Sequence, residues 1–265
     1  MLVKLTDEQQ IRLLKNSMPQ WKELLLEQAK NGWLCNKVQI SLYKLPNDGG
    51  MEILREQAEN GALYTYVQVR LFDRPDGLEM LMTQAKRGEL VYEAELKALK
   101  LPNAEEFFLA QAKKGNLHLQ KPAFSLPNAG EIILEQAKNG YLHDDAEKKI
   151  LKLSNAEEIL LAEAKKGNLG LQKEALLFPK ANEILLEQAQ NGHLSPEIQK
   201  DAALLPNAKE ILLAQAQRGT LCNEDAQLKA LDFECGKEIA FALLKAGELC
   251  SEAQIKAVEL GYFTA

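Results

Sequence analysis

Apolar side chains recur along this chain with a helical rhythm that restarts every 25 to 29 residues. Counting back from the glycine that ends "EQAKNG" (27–32), positions −11, −8, −7 and −3 are mostly apolar or small, as in Ala156, Ile159, Leu160 and Ala164. That spacing lays them on one face of a 3.6-residue helix. A polar last turn and a glycine follow, which predicts a helix stop with glycine in the left-handed C′ position. A second, shorter apolar pattern then predicts a helix of two to three turns. Asn36, Asp144, Ser195, Asn223 and Ser251 are its expected caps.

Nine glycines carry this register: Gly32, Gly61, Gly88, Gly115, Gly140, Gly167, Gly192, Gly219 and Gly247. A leucine stands two residues after each of them, and a glutamate nine residues before each. Residues 103–154 and 155–206 match at 29 of 52 positions without a gap, which marks duplication of a two-repeat block. One helix pair of this size cannot bury its apolar face alone, so neighbours must stack. The expected fold is an all-α solenoid of about nine helix pairs over residues 1–265, a superhelix of either hand. Residues 1–17 and 248–265 read as its capping helices. "LYTYVQVRLF" (63–72) alternates as a strand would, but alignment with "LVYEAELKAL" (90–99) favours a helix.

The stretches "LPNAEE" (101–106), "LPNA" (126–129 and 205–208), "LCNE" (221–224) and "LCSE" (249–252) resemble the short two-helix repeats of bacterial α-solenoid proteins, in the style of HEAT-like and leucine-rich-variant arrays. The resemblance spans the chain and is architectural. It implies a binding surface, with bacterial or phage-delivered proteins as the setting, and it brings no catalytic residues. The 25–27-residue unit is shorter than a HEAT repeat, so no family function transfers.

Two columns dominate the repeat. The glutamates, among them Glu106 and Glu158, lie three residues after a cap such as Asn103 or Asn155, which predicts capping boxes. Exposed together, they would form an acidic stripe for a basic partner. Glutamine fills position −4 in seven repeats (Gln28, Gln57, Gln84, Gln111, Gln136, Gln188 and Gln215), with Glu163 and Leu243 in the others. The helical wheel places it in the apolar arc, so a hydrogen-bonded, buried amide is expected, reaching the next repeat. Leu243, in the last repeat, would then have nothing to reach. Gly115 and Gly140 represent the terminator column.

The net charge of −6 gathers in residues 103–265, with 18 Lys/Arg against 24 Asp/Glu. No basic block appears, which disfavours a nucleic-acid binder. No metal-ligand spacing joins His118, His143 and His193, which read as loop residues, so no metal or cofactor is expected. Cys35, Cys222 and Cys250 share one repeat position, which suggests a small buried slot. The four cysteines without a CxxC, the absence of an apolar run long enough for a membrane span, and an N-terminus without a signal pattern suggest a soluble protein of the cytoplasm or of a host cytosol.

Departures from the repeat point to function. Repeat two is the most altered internal unit, with Arg55 and Arg74 where other repeats mostly have aliphatic residues, and with Tyr64, Tyr66 and Arg70 nearby. Tyrosine and arginine are enriched in binding hot spots. These five residues are the candidate contacts for a partner protein of a non-enzymatic scaffold, inhibitor or adaptor, monomeric or weakly oligomeric. An acidic nucleic-acid mimic, a nucleic-acid reader and a glycosylase-like repeat enzyme are the other classes considered.

Overall fold

The structure is a computed structural model, describing residues 3–16, 20–45 and 49–263. Its regular structure is all α-helical, with nineteen helices and no strand among those residues. The chain divides into two compact units, Met1–Gly140 and Tyr141–Ala265.

Unit 1 contains α1 (Asp7–Lys15), α2 (Trp21–Ala29), α3 (Asn36–Tyr43), α4 (Gly49–Asn60), α5 (Thr65–Leu71), α6 (Gly77–Arg87), α7 (Tyr92–Ala98), α8 (Ala104–Ala112), α9 (Gln120–Ala123) and α10 (Ala129–Asn139). First helices stack in the order α2, α4, α6, α8, α10, and second helices in the order α1, α3, α5, α7. The stretch with strand-like alternation is α5. Between the two layers lie the apolar positions of the repeat, such as Leu54, Leu81, Phe107, Phe108 and Ile133, each at 2% exposure or less.

Unit 2 repeats the plan with α11 (Asp144–Ile150), α12 (Ala156–Lys165), α13 (Gln172–Ala175), α14 (Ala181–Asn191), α15 (Pro196–Ala202), α16 (Ala208–Gln217), α17 (Glu224–Ala230), α18 (Gly236–Ala246) and α19 (Ser251–Glu259). First helices α12, α14, α16 and α18 stack in sequence, and α15, α17 and α19 pack beside them. At the C-terminal end Tyr262 donates its hydroxyl to the Leu231 carbonyl at 2.9 Å, and Phe263 meets Phe241 edge-on at 5.3 Å between ring centroids.

The second helices sit at the short end of the two to three turns expected, and two of them fall below it. Most are about two turns, and α9 and α13 are only four residues long. These two lie in the 25-residue repeats, so the missing residues come out of the second helix while the first keeps its length.

Helix ends also depart from expectation. Glycine takes the left-handed conformation at Gly32, Gly88, Gly115, Gly167, Gly219 and Gly247, with φ between 67° and 76°. Gly140 and Gly192 are extended instead, with φ of −122° and −132°. The reason is close approach between repeats: a Cβ on Gly192 would come within 2.6 Å of the Gly167 carbonyl oxygen and the Gln188 amide. The asparagine of the recurring phrase folds back, Asn31, Asn60, Asn139 and Asn191 each donating Nδ2 to the carbonyl four residues earlier at 2.8–2.9 Å.

The expected capping boxes on the first helices are absent at Asn103, Asn128, Asn155 and Asn207, whose backbones sit near φ −105°, ψ 30°. The preceding turn already occupies the early N–H groups, as when Ala208 donates to Leu205 O at 3.1 Å. Asn207 instead donates Nδ2 to Asn182 O in the preceding repeat at 2.9 Å. A true capping box occurs at Thr6 and Gln9 of α1. Second helices start one residue earlier than expected at Cys35, His143 and Cys250, whereas Ser195 and Asn223 are the observed caps.

Candidate functional site

Two ladders of buried side chains run through the repeats and set what remains free to function. In the first, the Oε1 atoms of Gln28, Gln57, Gln84, Gln111, Gln136, Gln188 and Gln215 accept the backbone N–H of Leu5, Leu34, Leu63, Leu90, Leu117, Leu169 and Leu194 at 2.7–3.4 Å. The amides are buried and bonded as the wheel predicts, but they reach back to the preceding repeat. The expectation of a bond to the next repeat is corrected, and with it the reason offered for Leu243, whose repeat does have a predecessor. The Nε2 groups of Gln84 and Gln215 serve Ala58 O and Ala189 O at 2.8 and 2.9 Å, carbonyls near the end of the preceding first helix.

The second ladder is absent from the sequence expectations. Gln10, Gln39, Gln68, Gln172, Gln199 and Gln227 accept the N–H of Cys35, Tyr64, Val91, Ser195, Cys222 and Cys250 in the following repeat at 2.7–3.0 Å. Its signal is a glutamine or glutamate five to eight residues after each register glycine. Length variation in the second helix blurs that spacing. The shared cysteine position is therefore an N–H donor at a helix start. Cys222 is exposed and Cys35 and Cys250 are half-buried, which corrects the buried slot.

With the ladders assigned to stacking, the predicted contact residues fall into two groups in unit 1. Tyr64 and Tyr66 are 36% and 37% exposed on the second-helix layer. Lys44 Nζ and the Arg70 guanidinium lie 6.0 and 5.6 Å from the Tyr66 ring centroid. Tyr43 donates its hydroxyl to Arg70 O at 3.1 Å, and Arg70 faces Asp73 at 3.6 Å. This ties α3 to α5 and leaves an amphipathic patch of rings and cations facing solvent. Arg55 and Arg74 instead line a groove of about 880 Å³ with Lys22, Glu52 and Asp76, at the start of the first helices. Arg74 donates Nε to Asp76 at 3.3 Å, and Arg55 Nε lies 4.0 Å from Glu79.

The glutamate column is exposed at all nine positions, Glu106 and Glu158 included, on the first-helix layer of each unit. At Asn103 the cap side chain still meets the column, its Nδ2 lying 3.4 Å from the Glu106 carboxylate. Charge divides unequally: unit 1 holds 18 Lys/Arg and 18 Asp/Glu, and unit 2 holds 14 and 20, so the net −6 belongs to unit 2.

Glutamate interrupts the ladders at three places. Glu95, fully buried, accepts from Gln111 Nε2 at 3.0 Å, from the N–H groups of His118 and Leu119 at 3.2 and 2.8 Å, and from His118 Nδ1 at 3.0 Å. His118 is thus engaged with a buried carboxylate and is not simply a loop residue. In unit 2, Glu163 is 2% exposed. Burial, and then the charge of Glu147, push its carboxyl up to about 7 against the pull of Lys166 and the Leu142 N–H. Glu147 is also raised, first by burial and then by Asp144, with Glu174 adding to it and the Gly170 N–H opposing.

Among the described residues no group of three or more His, Cys, Asp and Glu side chains is placed to hold a metal ion. No described helix is long and apolar enough to cross a membrane. Comparison of the chain with protein-family models, curated proteins and solved structures finds no match.

Proposed function

We propose that this protein is a non-enzymatic binding array that holds a partner protein on the second-helix layer of unit 1, working as a monomer or weak oligomer without a cofactor. The observation that carries the reading is the patch of Tyr64, Tyr66, Lys44 and Arg70. Two tyrosines are more than one-third exposed there, and one of them is already oriented by cations. Rings held in place lose little entropy on binding and bury much area, and tyrosine and arginine are the residue types that dominate hot spots. The repeated phrase is occupied with stacking, so specificity falls to the positions where the repeats differ. Affinity capture with the whole chain tests this. Tyr66→Ala/Arg70→Glu should lose the partner that the unaltered chain retains, at unchanged thermal stability. Retention of the same partner by the double variant would place binding elsewhere.

A second reading follows from the exposure of all nine column glutamates: an acidic surface that occupies a nucleic-acid-binding protein. It requires binding that weakens steeply with salt. Capture that survives 0.5 M salt, about five times a typical 0.1 M buffer, would sink it.

A further inference from the structure

Glu147, Glu163 and Gly170 stand 52 residues after Glu95, Gln111 and His118. The duplicated block pairs Gln111 with Glu163 and His118 with Gly170, while Glu95 and Glu147 hold the same repeat position, seven residues after Gly88 and Gly140. The first set is thus the earlier copy of the arrangement and the second the later. In the earlier copy the buried carboxylate is satisfied from all sides, by the amide of Gln111, the imidazole of His118 and two backbone N–H groups. The later copy has lost both side-chain donors. The amide has become a second carboxyl, and the imidazole has become a hydrogen atom. Gly170 still donates its backbone N–H to Glu147. Glu163 keeps the Leu142 N–H, but its Oε1 is buried without a hydrogen-bond partner. Asp144 and Glu174 add negative charge around Glu147, and Lys166 is the cation bearing on Glu163.

A buried, unpartnered carboxylate oxygen beside a second carboxylate calls for a cation. The earlier copy shows the route by which one arrives: His118 is 51% exposed, so its ring reaches Glu95 from the solvent side. Gly170 is exposed at the matching position, and the Glu147 carboxylate borders the space that a side chain there would fill, so the pair is approached from this side. We infer that Glu147 and Glu163 form a receptor for a cationic side chain of a partner protein, which enters over Gly170 and bonds the pair as His118 bonds Glu95. The net negative charge of unit 2 favours the approach of such a group. This second contact lies in unit 2 and does not depend on the tyrosine patch of unit 1.

The test uses the full chain and methylguanidinium as the probe, with methylurea as its neutral counterpart at equal ionic strength. The readout is the amide resonance of Gly170, whose N–H is bonded to Glu147. Methylguanidinium should shift that resonance saturably and methylurea should not. Glu163→Gln should weaken the binding about tenfold, equivalent to ~1.4 kcal/mol. Gly170→His should abolish it by filling the receptor from within. That side chain is accommodated at the matching position, and the atoms its Cβ would press on belong to the mobile end of Glu147. The inference is overturned if the Gly170 amide fails to shift up to about 100 mM probe, weaker than any useful ~1 mM contact. Equal shifts of the backbone amide at position 170 in the Gly170→His chain overturn it too, as does a Glu163 that titrates near neutrality without responding to the probe, which would make the pair a holder of a proton only.

Discussion

Replacing Glu163 by glutamine restores to α12 the amide that seven other repeats carry at this position, and the consequence can be worked out in energy. The carboxyl is held at about 7 instead of 4.5, chiefly by burial. The native state therefore binds its proton more tightly than the unfolded chain does. At ~1.4 kcal/mol for each tenfold change in proton affinity, ionised Glu163 weakens the fold by about 3 kcal/mol. The sign follows from the raised value: stability is complete below about pH 4.5, falls as pH rises through about 7, and stays low above it. Glu147 on α11 and Lys166 at the end of α12 act on it directly, Asp144 on α11 and Glu174 on α13 act on Glu147, and α14 buries Ile184, Leu185 and Gln188. The exposed Asp145 and Lys148 and the half-buried Lys149 on α11 complete the charges nearby. Urea unfolding of both chains at pH 5 and pH 8 measures the effect. Glu163→Gln should match the unaltered chain within about 1 kcal/mol at pH 5 and exceed it by about 3 kcal/mol at pH 8. An equal difference at both pH values would refute the reasoning, because a proton would then play no part.

Gln215→Leu keeps the volume but strands the Leu194 N–H and removes a donor from Ala189 O, so it should cost about 3 kcal/mol by chemical unfolding. The native Leu243 shows that the position accepts an aliphatic side chain when the neighbouring groups suit it. Gly192→Ala drives a Cβ to within 2.6 Å of the Gly167 carbonyl oxygen and should cost about 3 kcal/mol. Gly247→Ala meets no atom within 4 Å and bears only left-handed strain at φ 76°, about 1 kcal/mol. Melting temperatures of the two alanine variants should fall in that order.

The helices are legible because their apolar spacing repeats nine times, so tertiary packing has no occasion to override a local preference. Burial of the −4 glutamine is legible for the same reason, since angular position on a helix is fixed by sequence. Its partner is not: whether Gln215 reaches Leu194 behind it or Leu221 ahead of it depends on how successive helices are offset, which no residue encodes alone. The capping boxes mislead because Asn-x-x-Glu is a local signal, and the turn ahead of the helix satisfies the same N–H groups with backbone. In the alignment of 63–72 with 90–99, Tyr66 stands opposite Glu93, and both are exposed because position in the repeat sets exposure. Grouping Arg55 with Tyr66 fails because residues close in sequence fall on different layers of a helix pair. The Glu147–Glu163–Gly170 triplet needs the structure, since only the bonds of Glu95 reveal what its copy has lost.

The most direct test of the account is calorimetric titration of the captured partner, purified, against the unaltered chain and against Tyr66→Ala. Loss of a hot-spot ring costs 2 kcal/mol or more, so affinity should fall at least about 30-fold with no change in melting temperature. An affinity within about twofold of the unaltered chain, well inside a 1.4 kcal/mol tenfold step, would contradict the assignment of binding to the α3–α5 patch.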